Sequence, residues 1–151
     1  MIASLREQLV EEFVTALGTS PPAGVPTATR ARLEPYKLAD LPAMSVRFLK
    51  EKVEYEKEGK RSYYRKRFLI VRISHFVASL DSNLDPLAQW ATACLDGKQF
   101  SASGLPPFLN EDVLEDALEW EYVAEDESYF ALHQDFLVPY HTIAGDATRA
   151  Q

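Results

Sequence analysis

Residues 62–77 read SYYRKRFLIVRISHFV, and the second half of this run is apolar on both faces of an extended chain. Leu69, Val71 and Ile73 point one way and Phe68 and Ile70 the other, because side chains alternate along a strand. A strand of that kind belongs in a core. The stretch before it fits as its partner. Met44, Val46 and Phe48 share one face, and Leu49, Glu51, Val53 and Tyr55 follow in the opposite phase. The change of phase predicts a bulge at Phe48 and Leu49. The polar EKEGKR segment with Gly59 predicts a return turn. The two runs therefore form a long hairpin, its base in the core and its charged tip projecting into solvent.

Helices and further strands surround this hairpin. Ile2, Leu5, Leu9, Phe13 and Leu17 recur at three- and four-residue spacing, with Val10 and Val14 widening the stripe. That pattern predicts an N-terminal helix lying on a sheet. Ser4 and Glu7 have capping-box spacing, and Gly18 is placed for a left-handed cap. TSPPAGVP is a surface linker too short to divide domains, and 25–33 suits a short edge strand. Asp85 and Pro86 open a middle helix whose stripe is Leu84, Leu87, Ala88, Ala91, Cys94 and Leu95, closed by Gly97. In the last third, Leu118, Trp120 and Tyr122 alternate with Glu119 and Glu121. Phe130, Leu132, Phe136, Val138 and Tyr140 then mark a return strand. DVLEDAL before Trp120 also suits a helix. Periodicity puts Trp90 and Trp120 in the core. The expected fold is α+β: a mostly antiparallel sheet with an N-terminal and a middle helix packed on it. One domain, 1–143, is followed by a loose tail, 144–151.

At 151 residues, the chain buries enough surface to fold without a metal or disulfide. The single cysteine, Cys94, excludes an internal disulfide framework and fits a reducing compartment. Acids interrupt the N-terminal apolar stretch where a secretory leader needs continuity. No run approaches membrane-spanning length, so no membrane partner is expected.

Charge is divided along the chain. Arg47–Arg72 holds ten of the 16 basic residues and four acids, a net of +6 against −7 for the whole. Glu111–Glu127 holds nine acids and no base. Opposite charges on one chain favour head-to-tail contact between copies or attachment to charged partners. The candidate interface residues are Lys57, Lys60, Arg61, Arg65, Lys66 and Arg67 on the hairpin. Opposite them stand Glu111, Asp112, Glu115, Asp116, Glu125 and Asp126. Reversing Arg65, Lys66 and Arg67 to Glu is expected to abolish assembly and leave the fold intact.

Catalytic patterns are absent from the sequence. There is no nucleophile elbow, no phosphate-binding glycine spacing, and no metal-ligand spacing around His75, His133 and His141. His133 and Asp135 at i, i+2 are a ligand pair without a third member. No catalytic residue, metal or cofactor is expected. Tyr63 and Tyr64 among the hairpin cations suit a single-stranded nucleic-acid module, but a sequence pI near 5.0 opposes it. A protein-facing hairpin is the favoured reading.

Several phrases in order carry a resemblance. They are I-x-x-L-R-x-x-L-V at the start, L-P-A-M-S-V, the charged hairpin with its apolar strand, L-D-P-L-A-Q-W (Leu84 to Trp90), E-W-E-Y (Glu119 to Tyr122) and S-Y-F-A-L. Together they resemble the small minor-tail and tail-terminator proteins of long-tailed phages and prophages, over residues 1–143. The resemblance implies a non-enzymatic subunit of a hexameric ring on the finished tail tube. The ring stops tube growth and presents a surface to the head-side connector. Its partners are other copies of itself, the tube protein and the connector, with DNA only as passing cargo. Its place is the virion tail, and the host cytoplasm during assembly. The alternative in the same machine is another neck or tail-completion subunit.

Overall fold

The computed structural model describes residues 4–19, 21–22, 25–30, 36–54, 64–78, 84–97, 112–124, 128–143 and 146–150. The elements are α1 (Leu5–Leu17), β1 (Ala28–Arg30), a 3-10 turn (Leu38–Asp40), β2 (Ala43–Glu54), β3 (Tyr64–Val77), α2 (Leu84–Leu95), β4 (Leu114–Ala124), β5 (Ser128–Ile143) and β6 (Asp146–Ala150). The fold is α+β. One sheet runs β1-β2-β3-β5-β4, with β6 also on β5. Every described pairing is antiparallel except β1 with β2.

The two-sided apolar run is β3, paired to β2 on one edge and β5 on the other. Register fixes the faces, because directly paired residues point the same way. Leu69↔Val138, Val71↔Phe136, Ile73↔Gln134 and His75↔Leu132 form the helix face. Leu5, Leu9, Val10, Phe13 and Leu17 of α1 pack there with Ala91 and Leu95 of α2. The Phe13 and Phe136 rings meet edge to face, 6.1 Å apart. The far face carries Ser45, Arg72, Ser74, His133 and Asp135, with Phe76 between Tyr36 and Tyr129. As the phase change predicts, the β2–β3 register shifts between Phe48 and Lys50.

Local chemistry sets the ends. Ser4 accepts a hydrogen bond from the Glu7 N–H and caps α1. Gly18 is right-handed (φ −82°), not the left-handed cap expected. Its N–H still reaches the Val14 and Thr15 carbonyls, so the helix closes without a turn reversal. Gly97, at φ 75°, does end α2 in the left-handed region that favours glycine.

DVLEDAL is not helical, since β4 begins at Leu114. The expected loose tail is partly a strand. β4 pairs with β5 only as far as Leu137, and further along β5 the segment Asp146–Ala150 forms β6. The hairpin tip, 55–63, lies outside the described residues.

Phe136→Ala removes the ring against which α1 rests and leaves a cavity. Urea unfolding should show a loss of about 3–5 kcal/mol, the usual range for a buried Phe.

Candidate interaction surface

β4 is an end strand of the sheet, and register settles what each of its faces carries. Leu118↔Gln134, Trp120↔Leu132 and Tyr122↔Phe130 lie on the helix face. Helix α2 stops short of them. It is held over β5 by Gln134, whose amide nitrogen donates to the Ala88 carbonyl (3.0 Å) and to Thr92 Oγ1 (3.1 Å). Leu118, Trp120 and Tyr122 are therefore 58%, 51% and 58% exposed. Trp120, expected in the core, is instead a surface residue. Alternation shows which face a residue takes but not whether that face has a cover. Trp90 is half-buried against the core, in line with its stripe. Trp120, Glu121, Tyr122 and Phe130 line an open, mostly apolar hollow of about 440 Å³. The Tyr122 and Phe130 rings stand 5.2 Å apart within it.

The far face of β4 is acidic. Glu119 lies 3.5 Å from Arg72, which also grips Asp135 through two bonds of 2.8 and 3.1 Å. The hydrogen bond to Asp135 holds the Arg72 guanidinium above its ordinary pKa. Of the expected acidic interface, Asp112, Glu115 and Asp116 are exposed at the start of the strand. The register shift between Glu115 and Ala117 puts Asp116 in a bulge. Glu111, Glu125 and Asp126 lie outside the described residues.

Of the basic segment, Arg67 is engaged within the subunit. Arg67 binds Glu51 at 2.9 Å, and Arg6 of α1 binds the same carboxylate oxygen at 3.0 Å. The Tyr140 hydroxyl donates to the other oxygen. Glu51 is only 6% exposed, and one buried carboxylate joins α1, β2, β3 and β5. Burial, reinforced by Glu51, pushes the Tyr140 phenol far above its ordinary pKa. Reversing Arg67 therefore sets a carboxylate against Glu51 and damages the fold. The Arg65, Lys66 and Arg67 reversal is expected to lower stability as well as to affect assembly. Lys66 lies over the Phe68 ring, with its nitrogen 5.2 Å from the centroid. Arg65 is placed in β3 by its backbone, opposite Thr142. Lys57, Lys60 and Arg61 lie outside the described residues.

Two polar lines cross the sheet that no sequence spacing announces. On the far face, Ser74 Oγ meets His133 Nδ1 at 2.7 Å, and His133 Nε2 meets Glu121 at 2.6 Å. The order is that of a nucleophile, base and acid. Ser74 is 2% exposed, however, in a strand paired on both edges, so its oxygen has no room for a substrate. The line ties β3, β5 and β4 together. His133 and Asp135 share this face as the spacing predicts, but they serve different partners. Among the described residues, no three metal-ligating side chains gather.

On the helix face, His75 Nε2 contacts Gln134 Oε1 at 2.6 Å. Because the Gln134 amide nitrogen is donating to α2, its oxygen accepts and His75 Nε2 carries the proton.

The sequence matches no protein-family model and no curated protein.

Two outcomes are expected. Glu51→Gln leaves two guanidinium groups beside a neutral amide and should cost about 3 kcal/mol in urea unfolding, near the low end for breaking a buried ion pair. Burial, partly opposed by Gln134 and assisted by His133, holds the His75 pKa below its ordinary value. The unfolded chain then binds the extra proton first as pH falls through about 6.5, so stability drops from neutral pH downward. Thermal unfolding of His75→Gln should be less steep in pH across that interval than that of the wild type.

Proposed function

We propose that this protein is a structural subunit of a phage tail, resembling tail terminators, which assembles with copies of itself into a ring on the tail tube. The observation that carries the reading is β4: an eleven-residue end strand that presents Leu118, Trp120 and Tyr122 to solvent. Apolar and aromatic side chains in a row at a sheet edge suit a permanent protein contact. Self-assembly gives every subunit the same surface to satisfy, which suits a ring. The resemblance across residues 1–143 supplies the rest: a hexamer that ends tube growth and receives the head-side connector.

The role is structural rather than enzymatic. Among the described residues, the relay of catalytic appearance, Ser74–His133–Glu121, is closed to substrate and braces the sheet. Nucleic-acid binding through the basic strand is weakened by Arg67 and Arg72, whose charges are engaged by Glu51 and Asp135. DNA is then cargo passing through the ring.

Light scattering behind size exclusion, with negative-stain microscopy of the same fractions, tests the reading. Six copies of a 17.1 kDa chain give about 103 kDa, and closed rings with an open centre are expected. A strict monomer at every concentration, with and without tail tubes present, would sink it.

A further inference from the structure

Among the described residues the sheet has a second bare edge. β1 pairs with β2 only over Met44–Val46, so among the described residues the outer edge of β2 from Arg47 to Glu54 has no strand neighbour. Its two faces complement those of β4. Phe48 and Leu49, both exposed, and half-buried Val53 lie on the helix face, while Lys50 and Lys52 lie on the far face. β4 shows Leu118, Trp120 and Tyr122 on the helix face, with Glu119 and Glu121 on the far face. Direction also agrees. β2 and β5 run one way, β3 and β4 the other, so β2 of a second copy set beside β4 continues the antiparallel order.

We propose that β4 of one copy pairs antiparallel with the outer edge of β2 of the next, making one sheet continuous through the assembly. In the register we assign, Glu119 stands opposite Lys52 and Glu121 opposite Lys50. On the helix face, Leu118 stands opposite Val53, Tyr122 opposite Leu49, and Trp120 between them opposite Glu51, whose charge Arg6 and Arg67 hold within its own subunit. A slip of one residue turns the apolar row onto the lysines. A slip of two in one direction sets Glu119 against Glu54. Two-fold pairing of β4 with itself opposes acid to acid, which is unfavourable across strands. The heterologous joint sets lysine against glutamate on the far face and uses both bare edges.

Lys52 already lies 3.6 Å from Glu54, Glu119 near Arg72, and Glu121 on His133, so the joint extends existing charge networks. The neighbour's α1, which packs over its own β1 and β2, arrives on the side of Trp120. This inference rests on the reading of the chain as a self-assembling subunit and names the contact that joins the subunits.

Cysteine pairs test the register, with Cys94→Ser removing the native thiol. Glu119→Cys and Lys52→Cys copies, mixed and treated with oxidant or a short bis-maleimide, should give a covalent dimer. Both substitutions in one chain should give a ladder. Self-cross-linking of Glu119→Cys alone would establish two-fold pairing and overturn the proposal, as would no product with either reagent.

Charge exchange is the second arm. Lys50→Glu/Lys52→Glu and Glu119→Lys/Glu121→Lys should each weaken self-association at least about tenfold, since like charges then oppose each other. An equimolar mixture should restore assembly, with the two variants alternating. Failure of the mixture, with both variants folded by circular dichroism, counts against the joint. Rings formed by the wild type, with no cross-link from the cysteine pair, leave the ring standing and remove this contact. Cross-linked open filaments with no closed rings do the reverse.

Discussion

The pairing of β3 with β5 is what the rest of the structure depends on. It is the longest ladder in the sheet, running from Tyr64↔Ile143 to Val77↔Phe130 without a shift in register. Each of its faces then takes a distinct job. The helix face supplies Leu69, Val71, Ile73, Phe136, Val138 and Tyr140 to a single core with both helices. The far face supplies Arg72–Asp135 and Ser74–His133, polar pairs that lock the same two strands side chain to side chain. Among the described residues, no buried side-chain polar atom is left without a hydrogen bond. A central ladder with polar groups under it is tolerable only on that condition.

Much of this was legible in the sequence, for a physical reason. Strand and helix periods are local, so the α1 stripe, the two-sided β3 and the bulge at Phe48 can be read from a few neighbouring residues. What escaped is what depends on neighbours distant in sequence. Trp120 alternates as a buried residue does, but α2 is held over Gln134 and reaches no further. Arg67 sits in a basic run, yet its partner is Glu51 across the hairpin, shared with Arg6 and Tyr140. Ser74 and His133 lie 59 residues apart and meet only because the register sets them opposite each other. Gly18 misled in a smaller way, since glycine permits the left-handed cap without requiring it.

Segregation of charge along the chain also maps poorly onto segregation in space. Arg72, within the basic segment, bridges acids on two strands, and Arg67 is neutralised by a buried Glu. Among the described residues, exposed charges stand at both edges of the sheet: Lys50 and Lys52 at one side, the β4 glutamates at the other. A net of +6 over Arg47–Arg72 therefore overstates the positive surface that a partner meets.

The distance in sequence between β3 and β5 has a consequence for synthesis. Arg72 and Asp135 are 63 residues apart, so the β2–β3 hairpin leaves the ribosome well before its second partner exists. During that interval β3 has one edge bare and apolar side chains on both faces, the state most prone to mispairing with other chains. The helix already made ahead of the hairpin is available to cover its apolar face until β5 is translated. Pauses in translation between α2 and β5 would lengthen that exposure, whereas pauses before β3 would not.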